Sequence, residues 1–211
     1  MTIVITNTRP EHIEQLVVHQ QVCFPTLAPD AWMQAEDFAA QLAVFPEGQH
    51  VALDGDRVVG QSTTLRVGDE AFAQHSFLGI TGHLRLGTHK PDGAWLYGAD
   101  MSVHPEYRGR KLSKMLYNAR KELVGRLGMR GIVAGGQLSG YHHHRHEMGV
   151  EEYIARVAAG ELVDPTLTPQ LRSGFSVRGV LWDYLDDAEH GREASIIVWE
   201  NPDLPPVAAP I

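Results

Sequence analysis

The sequence predicts an α/β fold whose mixed sheet contains one parallel strand pair and is flanked by helices. Two observations carry this. A strand over 95–103, a helix over 110–127 and a strand over 131–135 follow one another with the spacing of a βαβ unit, which makes the two strands parallel neighbours. A second pair of strand patterns, 49–54 and 57–67, flanks Asp54-Gly55-Asp56 and reads as an antiparallel hairpin.

The other elements follow in chain order. Residues 3–6 (IVIT) read as a short strand. Thr8 and Glu11 have capping-box spacing with Pro10 in the first turn, and Ile13, Leu16, Val17, Val22 and Cys23 then share one helical face. Pro25 and Pro29 bracket a loop. Asp30 is placed to cap a second helix running to Val44, with Ala35, Phe38, Ala39 and Leu42 inward. Residues 68–92 lack a clear period and read as a long loop with a strand near Phe77–Ile80. In the 110–127 helix, Leu112, Leu116, Ala119, Leu123 and Leu127 recur every three or four residues, and Gly128 ends it. Residues 136–148 break the pattern. A short helix over Glu151–Ala159 follows, then another, capped by Asp164 or Thr168 and ending at Gly174. Strands near 176–184 and 194–200 close a single domain, 1–201, before a proline-rich tail at 202–211.

Composition narrows the function classes. The net charge of −8 argues against a general nucleic-acid binder, and no apolar run nears the ~20 residues of a membrane span. The start MTIVITNTRPEH has no basic region leading into an apolar one, unlike a secretory signal. The single cysteine, Cys23, allows no internal disulfide and points to a reducing cytoplasm, where it reads as a small buried hydrophobe.

Charge is uneven. Residues 108–130 carry eight of the 18 basic residues against one acid, Glu122. That cluster begins inside LYGADMSVHPEYRGRKLSKMLYN (96–118), where an apolar strand runs through His104-Pro105 into Arg108-Gly109-Arg110-Lys111 and then a helix. The first N–H groups of a helix have no internal partner and its dipole favours negative charge, so this junction is a candidate anion site.

This element order, together with V-x-P-E-Y-R-G-R-x-L-S, resembles the GNAT superfamily of acyl-CoA N-acyltransferases. Gly174-Phe175 adds a weaker match to a Gly-Phe pair before the sixth strand. The region from GYHHH to SGF is also similar to the acetyltransferase-like part of some bacterial proteins that carry a carbon–nitrogen hydrolase domain. The resemblance implies a mostly antiparallel sheet with one splayed parallel pair, acetyl-CoA as co-substrate, and a small-molecule or peptide amine as acceptor. It puts the diphosphate on Arg108, Gly109, Arg110, Lys111, Leu112 and Ser113. Lys111 stands where the family has glycine, and the expectation is that φ stays negative there. The pantetheine arm would pair with Met101, Ser102 and Val103, the N–H groups of Met101 and Val103 flanking the thioester oxygen. Asp100 would be the base, through water. The family's usual thiolate acid, a tyrosine, is replaced by Gln170, so Tyr141 is the substitute and Tyr184 a weaker one. Acceptor choice would lie in 24–33, 68–92 and 136–170.

The run His142, His143, His144 and His146 reads as a solvated loop with partly packed imidazoles, or as one in which His142 and His143 contact substrate; no metal is expected, since no cysteine partner exists and His-x₃-His spacing needs a helix. Two other functions compete: a non-catalytic acyl-CoA-binding or partner-binding module, given the altered glycine loop, and a metal-binding protein built on the histidines. Association as a homodimer stays open.

Overall fold

A computed structural model describes residues 3–205; the last six residues of the predicted tail lie outside it. Seven strands form one sheet: β1 (Ile3–Asn7), β2 (His50–Asp54), β3 (Arg57–Val67), β4 (Trp95–Val103), β5 (Gly131–Gln137), β6 (Ser176–Leu181) and β7 (Ala194–Glu200). Their order is β1-β2-β3-β4-β5-β7-β6, and β4–β5 is the parallel pair while the rest pair antiparallel. The helices are α1 (Ile13–Cys23), α2 (Ala35–Val44), α3 (Phe77–Ile80), α4 (Leu112–Arg126), α5 (Val150–Ala158) and α6 (Leu167–Arg172). The mixed fold, the hairpin over 50–67 and the βαβ unit agree with expectation.

Several local expectations are corrected, and the corrections share a cause. Phe77–Ile80 is a helical turn capped by Ser76, not a strand. The first helix is opened not by Thr8 and Glu11 but by His12, whose Nδ1 accepts from Arg9 N–H at 3.1 Å. Asp30 sits in a separate 3₁₀ turn, and α2 is capped through Asp37, which accepts from Gln34 N–H at 2.9 Å. Ala35 and Ala39 of α2, and Val22 of α1, face solvent, while Asp37 and Gln41, and His19 and Gln20, are buried. Polar residues take these inward positions because each finds a partner there. Asp37 accepts from Arg85 Nε at 2.9 Å, and Gln41 donates to the Leu84 carbonyl at 2.7 Å. Those partners belong to a tight turn at Gly82–Leu86, whose His83, Leu84 and Leu86 have positive φ.

A bulge in β4 shapes the centre of the sheet. Thr63 faces Asp100 and Thr64 faces Gly98, so Ala99 is the extra residue. Arg120, 2% exposed, reaches this bulge from α4. It donates to the Asp100 carbonyl, to the Thr63 carbonyl at 3.2 Å and to Ser62 Oγ at 2.7 Å. A Cβ on Gly98 would lie 2.5 Å from a nitrogen of this guanidinium. Arg120→Met leaves two buried carbonyls unpaired, so it is expected to cost about 3 kcal/mol or more in urea unfolding. Gly98→Ala should lower the same midpoint, by displacing the guanidinium.

Candidate active site

Parallel pairing of β4 and β5 lasts three residues, Trp95–Gly131, Leu96–Ile132 and Tyr97–Val133. Beyond it β4 follows β3 and β5 follows β7, and a cleft of about 960 Å³ fills the splay. His104 N–H donates to Val59 on the β3 side at 2.9 Å. Donors alternate along a strand, so Met101 and Val103 present their N–H groups to the other, open edge.

The cleft continues to the start of α4. Gly109 has φ +78° and Lys111 φ +65°, and no side chain caps the helix. The expectation of a negative φ at Lys111 is therefore wrong: the residue keeps the left-handed backbone of the glycine it replaces. Left-handed residues in such a turn gather successive N–H groups into an anion-binding concavity, and the uncapped N–H groups of α4 extend it. Arg108, Gly109, Lys111, Leu112 and Ser113 line the cleft. Arg110 turns away, its guanidinium 4.7 Å from the Tyr107 ring centre.

Asp100 also lines the cleft, but its Oδ2 already accepts from Gln20 at 2.6 Å and from Gln61. Burial pushes its carboxyl up to about 6. Beside it His19 Nε2 lies 3.0 Å from Ser102 Oγ and 3.4 Å from Cys23 Sγ, and burial pushes that imidazole down to about 4. Burial likewise raises the Cys23 thiol to about 11, so it stays protonated at neutral pH.

Tyr141 does not line the cleft; its ring packs on Tyr153 and its hydroxyl donates to the Met148 carbonyl at 3.3 Å. Three other tyrosines line the cleft, Tyr107, Tyr117 and Tyr184; the ring of Tyr184 sits directly over Gly135, where a Cβ would come within 2.3 Å of it. Gln170 lines the cleft as well, its Oε1 unpartnered. His142 and His143, which line the cleft, lie 3.7 Å apart with their rings tilted, and His142 meets His190 edge-on at 5.4 Å. His190 in turn is held by Asp187, 2.9 Å from its Nδ1. Among the described residues no group of three or more His, Cys, Asp or Glu is placed to hold a metal ion. Sequence reasoning missed Arg120, Gln20, Gln61 and the Asp187–His190 pair. Buried polar residues inside apolar periodicity were the available signal for the first two.

A family model for the Acetyltransferase (GNAT) family matches residues 13–145. The chain belongs to this family. It is 35% identical over 205 residues to "Probable hydrolase YhcX" of Bacillus subtilis strain 168, covering 96% of this chain but 39% of that protein. It is 33% identical to "Uncharacterized N-acetyltransferase YkwB" of the same organism, over 93% of this chain and 88% of the relative. The chain thus spans about two fifths of the first relative's length and most of the second's. Among solved structures, a GNAT-like decarboxylase, GphF, in complex with isobutyryl-CoA shares the fold, with a TM-score of 0.80, 22% identity, and coverage of 94% and 99% of the two chains.

Two stability predictions follow from the geometry. A left-handed non-glycine residue costs roughly 1 kcal/mol, so Lys111→Gly should stabilise by that order and raise Tm, whereas Lys111→Ala should not. The buried titrating groups set a pH dependence with opposing signs. Between pH 4 and 6 folded Asp100 holds a proton that the unfolded carboxyl has lost, which lowers stability as pH rises. His19 and His50, both pushed down to about 4, act the other way up to pH 6.5, because the unfolded imidazoles bind protons that the folded ones refuse. The two histidines outweigh the one carboxyl, so unfolding free energy should rise from pH 4 to 6.5. Asp100→Asn should rise more steeply, the gap to the parent growing to about 3 kcal/mol near pH 6 and staying level above it.

Proposed function

We propose that the protein transfers an acyl group, acetyl in the simplest case, from an acyl-CoA to an amine by direct attack. The observation that carries this reading is the continuity of one cleft from the uncapped, left-handed loop at 108–113 to the open edge of β4. A diphosphate suits the loop: backbone N–H groups of 110–113 supply donors, and Arg108 and Lys111 supply charge. A pantetheine arm, with its two amides, suits an unpaired strand edge, and one N–H group on that edge, that of Val103, suits a thioester oxygen that gains charge during attack. The membership in an acetyltransferase family supports the same chemistry.

Attack forms the C–N bond and expels the thiolate. Asp100 has one oxygen free of its two amide partners, and we assign it the balance of Arg120's buried charge rather than the base's role. The acceptor approaches along the wall formed by His142, His143 and His190. Tyr141 takes no part. A second reading, decarboxylation of an acyl-CoA, rests on the likeness in fold to the decarboxylase GphF.

Calorimetric titration with acetyl-CoA is expected to show one site. Arg108→Ala with Lys111→Ala should weaken it by ten-fold or more, and the residual binding should depend less on salt. Unchanged affinity would place the diphosphate elsewhere. Release of free thiol with a panel of primary amines supports transfer. CO₂ release from malonyl-CoA without an amine favours the second reading, and binding with neither supports a non-catalytic module.

A further inference from the structure

A chain of three hydrogen-bonding side chains leads from the cleft toward the surface, and the proposed transfer does not otherwise use it. Tyr184 faces the cleft at Gly135, just past the last paired residues of β4 and β5. Its hydroxyl lies 3.1 Å from that of Tyr97, which is fully buried. The Tyr97 hydroxyl lies 2.8 Å from His75 Nε2, on the segment before α3. His75 Nδ1 lies 2.8 Å from the Ala73 carbonyl.

The carbonyl sets the direction of the whole chain. A carbonyl only accepts, so the neutral imidazole keeps its proton on Nδ1 and offers Nε2 as an acceptor. Tyr97 then donates to His75 and is left to accept from Tyr184. Tyr184 in its turn presents an oxygen lone pair to the cleft. Hydroxyl hydrogens rotate freely, so this order follows from the fixed end of the chain. Every link points outward, away from the cleft.

We propose that Tyr184, Tyr97 and His75 form a proton exit that removes the proton released when an acceptor amine attacks the thioester. This rests on the amide-forming reading above. As the C–N bond forms and the C–S bond breaks, the nitrogen proton passes to the Tyr184 oxygen. The Tyr184 proton passes to Tyr97, and the Tyr97 proton passes to His75 Nε2, which becomes an imidazolium and returns the proton to solvent. The thiolate takes a proton from solvent, so the products are an amide and free CoA thiol. Burial holds both phenols above their ordinary range, so neither stands as a phenolate and the proton moves along the chain in concert. Asp100 from β4 and Arg120 from α4 are the charged groups that act on Tyr184, and burial is the main influence on His75. Tyr184 is the catalytic residue; Tyr97 and His75 act through it.

The test follows free thiol released from acetyl-CoA with glycinamide, spermidine and phenethylamine, with acetyl-CoA affinity measured alongside. Tyr184→Phe, Tyr97→Phe and His75→Gln are each expected to lower kcat by about 100-fold with acetyl-CoA affinity unchanged, and the triple variant should be no worse than a single one. In the parent protein kcat should fall at acid pH as His75 is protonated, below the ordinary imidazole range because burial lowers it. His75→Gln should lose that acid limb. Tyr97 is the sharpest probe, since it is fully buried. Full kcat in Tyr97→Phe, or an acid limb that persists in His75→Gln, overturns the proton exit while leaving transfer intact. A parent protein that binds acetyl-CoA and releases no thiol with any amine overturns the transfer reading and this role together.

Discussion

The buried guanidinium of Arg120 is the interaction on which the rest of the site depends. A bulge at Ala99 bends β4 away from β5 and opens the cleft, but it also strips carbonyls of their ladder partners inside the protein. Arg120 supplies those partners, at Asp100 and Thr63, with Ser62 as a third anchor. A buried charge is expensive, and a full set of hydrogen bonds is what makes it tolerable. Asp100 is near enough to balance it, and the amides of Gln20 and Gln61 hold that carboxylate in turn. Pleat, bulge, charge and counter-charge form one unit that joins α1, α4, β3 and β4.

The loop before α4 shows a second constraint. Gathering N–H groups for an anion requires left-handed backbone at Gly109 and Lys111. Glycine adopts that at no cost, and lysine does not. The lysine is kept in spite of the strain and places a cation on the wall of the cleft. This is the pattern expected when local stability is traded for electrostatics at a binding site. The cleft's far wall is built the same way from polar parts. α1 buries His19 and Gln20 against Ser102 and Asp100, and the hydrogen bonds they make offset their burial.

Much of the architecture was legible in the chain. The βαβ unit showed itself because α4 keeps its leucines on a 3.6-residue period, and the hairpin because Gly55 marks a turn with φ +61°. The candidate anion loop was legible from Arg-Gly-Arg-Lys beside a helix start. Three kinds of feature were hidden. Buried polar faces on α1 and α2 break the apolar pattern that reveals a helix face, so periodicity points to Ala35 and Ala39, which are exposed. The Phe77–Ile80 turn is short and apolar, and its form is set by Ser76. Arg120 occupies the same face of α4 as Leu116 and Leu123, but its charge, in a run of lysines and arginines, reads as surface.

The sequence by itself determined the mixed sheet, the parallel pair and the turn of glycine and basic residues that opens α4, because each is encoded by residues close together in the chain. Only the tertiary structure decided which polar groups meet. Tyr184, Tyr97 and His75 come from three distant segments, as do Arg120, Asp100 and Gln20. Their roles arise from distances across the fold, and periodicity and motif spacing carry no record of such distances.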